Sequence, residues 1–501
     1  MQLTYQKLKP FALSYLTAPL AVFFAGYLRA PFAVVGLAVL AIAWWYAVCK
    51  TPQVKQVGQE EQGITLSVPK LVLLFALMLL WGYLGGQTGF FLPELGLGLP
   101  QRHLPGSDHK QLAGVLPAKG YGAGVLYRAL AGPGGADQTG IRPVWAGCRL
   151  DVRPYGPLGV DGAGHLSGGA EFVGLPACRY RQKAGDRPAV LIFFSGMDIL
   201  GALYSSRLPD LLAYDAMHLE WWTNDFQFSS LTTCLFWVFN QTVGAWLATV
   251  CFLQEKDCRN YLLLGTACLM CGPFPFVGLV IFMVVRGIVL LAQRQKGVLQ
   301  SVFSPANVLV LVVVLSITAS YFLANNAFGY SVLGETVAGN QAAQQTFGQN
   351  VLTSLQKGML VFYLLDAGIY LLLLWRQNRR SWLFYTCAVS LFIIPFFKVG
   401  QGCDFCMRVS IPAIFILMTL CARYFIALVG TKWRDGTLAQ HAVTILLAAT
   451  LLIGACTPAM EIYRGICHVA KEGTFCLENE EPYTLADRPV SLNFENAKLR
   501  K

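Results

Sequence analysis

Charge is scarce in this chain. Asp, Glu, Lys and Arg make up 13% of its 501 residues, against 55% hydrophobic residues and a mean hydropathy of +0.51. Soluble domains carry roughly 25% charged residues, so the composition excludes an ordinary water-soluble fold. Histidine is rarer still, with six in the chain, and no zinc-type spacing of Cys and His occurs. A Walker-type loop, Gly-x-Ser-x-Gly and His-Glu-x-x-His are all absent, which removes the motif-bearing nucleotide hydrolases, serine hydrolases and zinc peptidases. No small-residue cleavage site follows the first apolar segment; Arg29 and a second apolar segment follow it, so no cleavable signal is expected. The net charge of +11 sits largely in short loops, where basic residues orient helices in a bilayer, and does not point to nucleic acid.

What the chain does have is apolar runs of about 17–25 residues, long enough to cross the ~30 Å hydrocarbon core as helices. Candidate spans are 11–28, 31–49, 71–90, 189–206, 231–253, 261–272 with 274–292, 305–324, 358–375, 382–398, 409–428 and 439–457. The expected fold is all-α: a polytopic helical integral membrane protein with about 11 recognisable spans and one broken helix pair. The break is at Gly272-Pro273-Phe274-Pro275, because proline ends a helix. The lipid bilayer is its first partner.

Loop charges set the expected topology. Lys50, Lys55 and Lys70 flank one loop, Lys256 and Arg259 another, Arg294 and Lys296 a third, Arg376, Arg379 and Arg380 a fourth, and Lys432 and Arg434 a fifth. These belong in the cytoplasm, with an inside N-terminus marked by Lys7 and Lys9 and location in the cell membrane. The loop 208–230 holds Asp210, Asp215, Glu220 and Asp225, and 325–356 holds Glu335; both are placed outside.

One region does not fit. The chain divides into N-terminal helices (1–91), an anomalous Gly/Pro/Arg-rich segment (92–188), a main helical bundle (189–457) and a polar, extracytoplasmic tail (458–501). Residues 92–188 hold 20 of the 49 Gly and 10 of the 24 Pro, yet one Ile (Ile141) and one Phe (Phe172). The flanking topology demands an odd number of crossings there, and no apolar run supplies one. Two readings stay open: a genuine Gly/Pro-rich segment with a short crossing, or an out-of-frame translation that would leave this copy inactive.

Candidate sites are few. Asp198 and Asp366 fall inside spans, where carboxylates cost roughly 2.5–3.5 kcal/mol on insertion scales, so each faces either a helix partner or a substrate, ion or proton site. The loop His218-Leu219-Glu220-Trp221-Trp222-Thr223-Asn224-Asp225 gathers aromatics and acids at the outer surface. Trp221 and Trp222 read either as interfacial belt residues or as the walls of a sugar path. Lys398 and Arg408 are either snorkelling anchors or the holders of a phosphate. Candidate catalytic acids are Asp198, Glu220, Asp225 and Asp404. Cys403-Asp404-Phe405-Cys406 has redox spacing without a thioredoxin-like context, and Cys467 is in reach of Cys476 along the tail. No metal or cofactor is implied.

The stretches 194–200 (Phe-Ser-Gly-Met-Asp-Ile-Leu), Glu220-Trp221-Trp222, 235–241 (Leu-Phe-Trp-Val-Phe-Asn-Gln), Pro273-Phe274-Pro275-Phe276 and Asp404-Phe405-Cys406-Met407-Arg408 resemble a family of uncharacterised bacterial multi-pass membrane proteins. More distantly, the plan is similar to GT-C membrane glycosyltransferases. That resemblance implies a polyprenyl-phosphate-linked sugar as donor and a catalytic acid in the first large outer loop. Here that loop begins after Gly85-Gly86-Gln87-Thr88-Gly89-Phe90, inside the anomalous segment, and no role carries onto Asp108 or His109. The alternative is a transporter or flippase with Asp198 and Asp366 on the path. The sequence displays no inverted repeat and no second interrupted segment, which favours the enzyme.

Overall fold

The structure, a computed structural model, describes residues 2–3, 5–50, 64–65, 67–85, 187–212, 218–324, 347–397, 403–430 and 437–472. Asp108, His109, Lys398 and Cys476 lie outside them, as does nearly all of the segment 92–188. Apart from a two-residue antiparallel pairing of Gln2–Leu3 with Ile64–Thr65, the described elements are helices. They are α1 (Tyr5–Tyr27), α2 (Ala30–Trp45), α3 (Val68–Leu84), α4 (Arg187–Phe193), α5 (Asp198–Tyr204), α6 (Leu231–Trp237), α7 (Phe239–Gln254) and α8 (Tyr261–Cys271). There follow α9 (Pro273–Ala292), α10 (305–324), α11 (Met359–Asn378), α12 (Trp382–Ile393), α13 (Ile411–Gly430), α14 (Leu438–Gly454) and α15 (Cys456–Glu472), with shorter helices such as Phe347–Gln356 and Asp404–Val409 and a few single turns between them.

Six helical stretches among the described residues are long and apolar enough to cross a membrane, and five shorter apolar helices accompany them. The chain is therefore an all-α integral membrane protein. Proline at the first turn of α2, α3 and α9 starts each helix where its missing N–H has no intrahelical partner to lose. The core runs along α7 and α8, which are buried on nearly every face. Trp246 of α7 stacks between Trp81 of α3 and Phe415 of α13, at 6.0 and 5.7 Å. The outer surface is apolar too: Leu73, Leu372 and Leu452 are 69–74% exposed, as suits side chains that meet hydrocarbon rather than water.

The bundle has two chemically distinct ends. At one, the Lys9 ammonium meets the Glu255 carboxylate at 2.8 Å. Tyr46, Asp257, Arg259 and Lys296 line a polar pocket of about 430 Å³ at this basic end. At the other, Lys357 pairs with Asp225 at 2.8 Å, and the Cys403 thiol donates to Asn224 O at 3.5 Å. The loop 218–230, the segment leading into α11 and the segment before α13 thus share an acidic end. The N-terminus beside the loop 255–260, and the loop 218–230 beside the entry to α11, are grouped as the loop charges lead one to expect.

The break at Gly272 is present: the residue is extended (φ −176°), and α8 and α9 pack together as a hairpin, with Gly265 close to Phe276 and Met283. The 11 residues of α8 reach about 16 Å, half the hydrocarbon thickness. Two spans read from sequence as continuous are interrupted as well. The stretch 189–206 unwinds between α4 and α5, over Phe194–Met197, and 231–253 breaks at Val238 (φ −138°, ψ 38°). Neither break contains proline. They persist because neighbouring helices satisfy the freed backbone groups, which only the tertiary structure arranges. Beyond Gly454 the chain does not leave the bundle at once; after Ala455 it continues as α15 to Glu472.

Candidate functional site: a buried acid pair between two irregular helices

Two irregularities face one another. The first is the unwound Phe194–Met197 linker. The second is a π-helical turn, Leu364–Gly368, within α11, a feature that recurs at functional sites. They are stitched together by backbone: Met197 N–H donates to Leu365 O at 3.2 Å. Leu231 N–H donates to Phe194 O at 3.3 Å, and the Tyr370 hydroxyl lies within donating reach of both Ser195 O and Thr450 O, at 2.8 and 3.1 Å. Gly196 is required at this contact, since a Cβ there would lie 2.7 Å from the Asp366 Cα. Gly454 of α14 closes the far side, where a Cβ would lie 2.6 Å from Ser195 O.

Each irregularity carries an acid. Asp198 opens α5 and Asp366 sits in the π turn; both are fully buried. Asp198 Oδ2 accepts from Ser195 Oγ (3.0 Å) and from Thr457 Oγ1 of α15 (2.7 Å), while its Oδ1 has no hydrogen-bond partner. Both Asp366 oxygens lack one. Among the described residues neither acid has an ion pair. Counting from Met359 at the acidic end, Asp366 lies about 10 Å into the bundle. A carboxylate in that position without donors or a counter-ion is costly, so the pair calls for a proton or a cation.

A third acid belongs to the loop above. Glu220 is buried and accepts from Ser229 Oγ (2.6 Å), Gln227 Nε2 (2.8 Å) and Ser230 N–H (2.8 Å). Ser230 in turn caps α6 through Thr233 N–H. Burial pushes the Glu220 carboxyl above its ordinary range, against the pull of these hydrogen bonds, and its charge acts on both Asp198 and Asp366. Trp222 is buried, its ring against Gly201 of α5 and Phe362 of α11. Trp221 is 37% exposed; its indole donates to Gln227 Oε1 at 3.2 Å. Only Trp221 of this pair faces outward.

The remaining candidates lie elsewhere at the acidic end. Asp225 is taken by Lys357. Asp404 meets Arg408 Nη2 at 3.4 Å, while the Arg408 Nε is buried without an acceptor among the described residues. Cys406 is buried and Cys403 is half-buried. No group of three or more His, Cys, Asp or Glu among the described residues is arranged to hold a metal ion.

No family model matches this chain. No curated protein and no solved structure matches it either. The site therefore stands on its own geometry. Sequence reasoning found Asp198 and Asp366 by their setting in apolar runs, but not their pairing, and it overlooked Ser195, Thr457 and Tyr370. The spacing of Gly454 and Thr457, three residues apart and so on one helical face, was the available signal.

Proposed function

We propose that this chain is a carrier, a transporter or flippase of the cell membrane, in which the Asp198–Asp366 pair takes up and releases protons to drive movement of a cargo. The observation that carries the reading is the meeting of two irregular helices at a buried acid pair with no counter-cation among the described residues. Intramembrane acids facing a helix break are the usual means by which membrane carriers bind coupling ions, and three interrupted segments supply the flexible joints such a cycle needs. The test uses proteoliposomes with a trapped pH-sensitive dye and a potassium diffusion potential. Wild-type protein should admit protons, and Asp366→Asn should reduce the flux by at least about ten-fold, as loss of an intramembrane proton carrier does. Equal flux from the two proteins would remove the reading.

A second reading keeps the GT-C resemblance, with a polyprenyl-phosphate-linked sugar as donor. The free Nε of Arg408 favours it, because a buried guanidinium edge without an acceptor suits a phosphate oxygen. Trp221 would then border the sugar, with Lys398 as a further anchor. Glu220 is a poor base for it, since all its hydrogen bonds run to its own loop. Arg408→Ala should abolish sugar transfer in membranes supplied with such a donor; transfer at the wild-type rate rules the role out.

A further inference from the structure

The ring of Trp222 lies on Gly201, where a Cβ would be 2.2 Å from the indole, and 6.2 Å from the Phe362 ring centre. Gly201 is three residues beyond Asp198 on α5, and Phe362 is four residues before Asp366 on α11. Those spacings place each contact one helical turn from an acid, on the same face. In both helices the turn lies toward the acidic end, because α5 runs out to Arg207 beside Trp221, and α11 enters from Lys357 beside Asp225. Phe226 and Phe228 add two more rings on Phe362, at 5.5 and 4.7 Å. The indole of Trp222 and three phenyl rings therefore form a lid over the acid pair, and three of the four belong to one loop.

The same loop is held by Glu220. Its carboxylate ties the start of the loop to Ser229 and Ser230 at its end, so that Trp222, Phe226 and Phe228 are carried as one body. His218, at the loop's entry, is fastened to α15 through Glu461 at 2.8 Å. Arg464 and Trp237 also contact that carboxylate, at 3.2 and 2.9 Å.

We propose that residues 218–230 are the gate on the acidic side of the Asp198–Asp366 site, with Trp222 as the plug and Glu220 as the latch that keeps the loop in one piece. This assignment gives the regulation of the pair proposed above as a coupling site and rests on that reading for its purpose, though not for its geometry.

Purified full-length protein is treated with a water-soluble carbodiimide and glycine ethyl ester, and amide formation at each acid is followed by mass spectrometry. Asp257, at the opposite end and partly exposed, serves as the internal standard. In wild type, Asp198 and Asp366 should react far more slowly than Asp257. Trp222→Ala removes the plug and Gly201→Ala pushes it aside without deleting it. Each should raise the rate at Asp366 by about ten-fold or more, because reaction of a buried group follows the population of its open form. Glu220→Ala should raise it less. Unchanged rates in both Trp222→Ala and Gly201→Ala, or wild-type aspartates that already react as fast as Asp257, overturn the gate. Labelling requires no transport, so a gate confirmed in a protein that moves no protons would leave the lid standing and remove the carrier.

Discussion

Two pairs of buried acids in this molecule stand in contrast. Glu255 and Glu461 lie at the ends of the bundle, and each meets a basic group: Lys9 at 2.8 Å for the first, His218 and Arg464 at 2.8 and 3.2 Å for the second. Asp198 and Asp366 lie deeper, on helices that have lost their regularity, and meet only hydroxyls or nothing. The difference separates two uses of a carboxylate. A buried acid with a fixed partner ties elements together, and its charge state is settled. A buried acid without one costs stability and is retained where the protein needs to change its charge.

The comparison can be broken most severely at Lys9. Lys9→Met removes the ammonium that Glu255 meets and leaves that buried carboxylate with the hydrogen bond from Asn260. Removing one partner of a buried pair costs about 3–5 kcal/mol. Detergent-solubilised protein should accordingly melt several degrees lower, and an unshifted melting temperature would show that the pair is not structural. Asp366→Asn should act in the opposite sense. It removes a carboxyl that nothing stabilises, so the melting temperature should hold or rise while the proton flux described above is lost. A large drop in stability would place Asp366 with Glu255 as a structural acid.

The smallest effect concerns Glu220. Its carboxyl is raised from 4.5 by burial, with Asp198, Asp366 and Glu461 as the acids that surround it. A group bound more tightly to its proton in the folded state contributes stability below its unfolded value and loses that contribution as pH rises through the folded value. Stability should therefore fall as pH climbs from about 4.5, and Glu220→Gln should flatten part of that slope. Parallel melting curves from pH 5 to pH 8 in the two proteins would exclude Glu220 as a titrating latch.

Much of this was legible in the sequence. The apolar runs disclosed the membrane class, Gly272-Pro273 disclosed one break, and the signs of the loop charges disclosed which loops share an end, as Lys9 with Glu255 and Lys357 with Asp225 bear out. These properties follow from short-range chemistry: the length needed to cross hydrocarbon, the backbone rules of proline and the cost of moving charge through lipid. The breaks at Phe194–Met197 and Val238 carry no such mark. A run such as Phe193-Phe194-Ser195-Gly196-Met197 has no proline and is compatible with a helix; it unwinds because Leu365 O, Leu231 N–H and the Tyr370 hydroxyl, all distant in the chain, take over its hydrogen bonds.

The sequence by itself determined that the protein lives in a membrane, that its core is helical and that two aspartates sit where water is absent. Only the tertiary structure decided that the segments carrying Asp198 and Asp366 meet, that Glu255 and Glu461 have basic partners while neither aspartate has one among the described residues, and that Trp222 lies on the turns next to both. The reason is range: hydrophobicity and proline geometry act within a few residues, whereas a counter-charge, a donated hydrogen bond or an aromatic cover can come from far along the chain, as Lys9 does for Glu255 and Thr457 for Asp198.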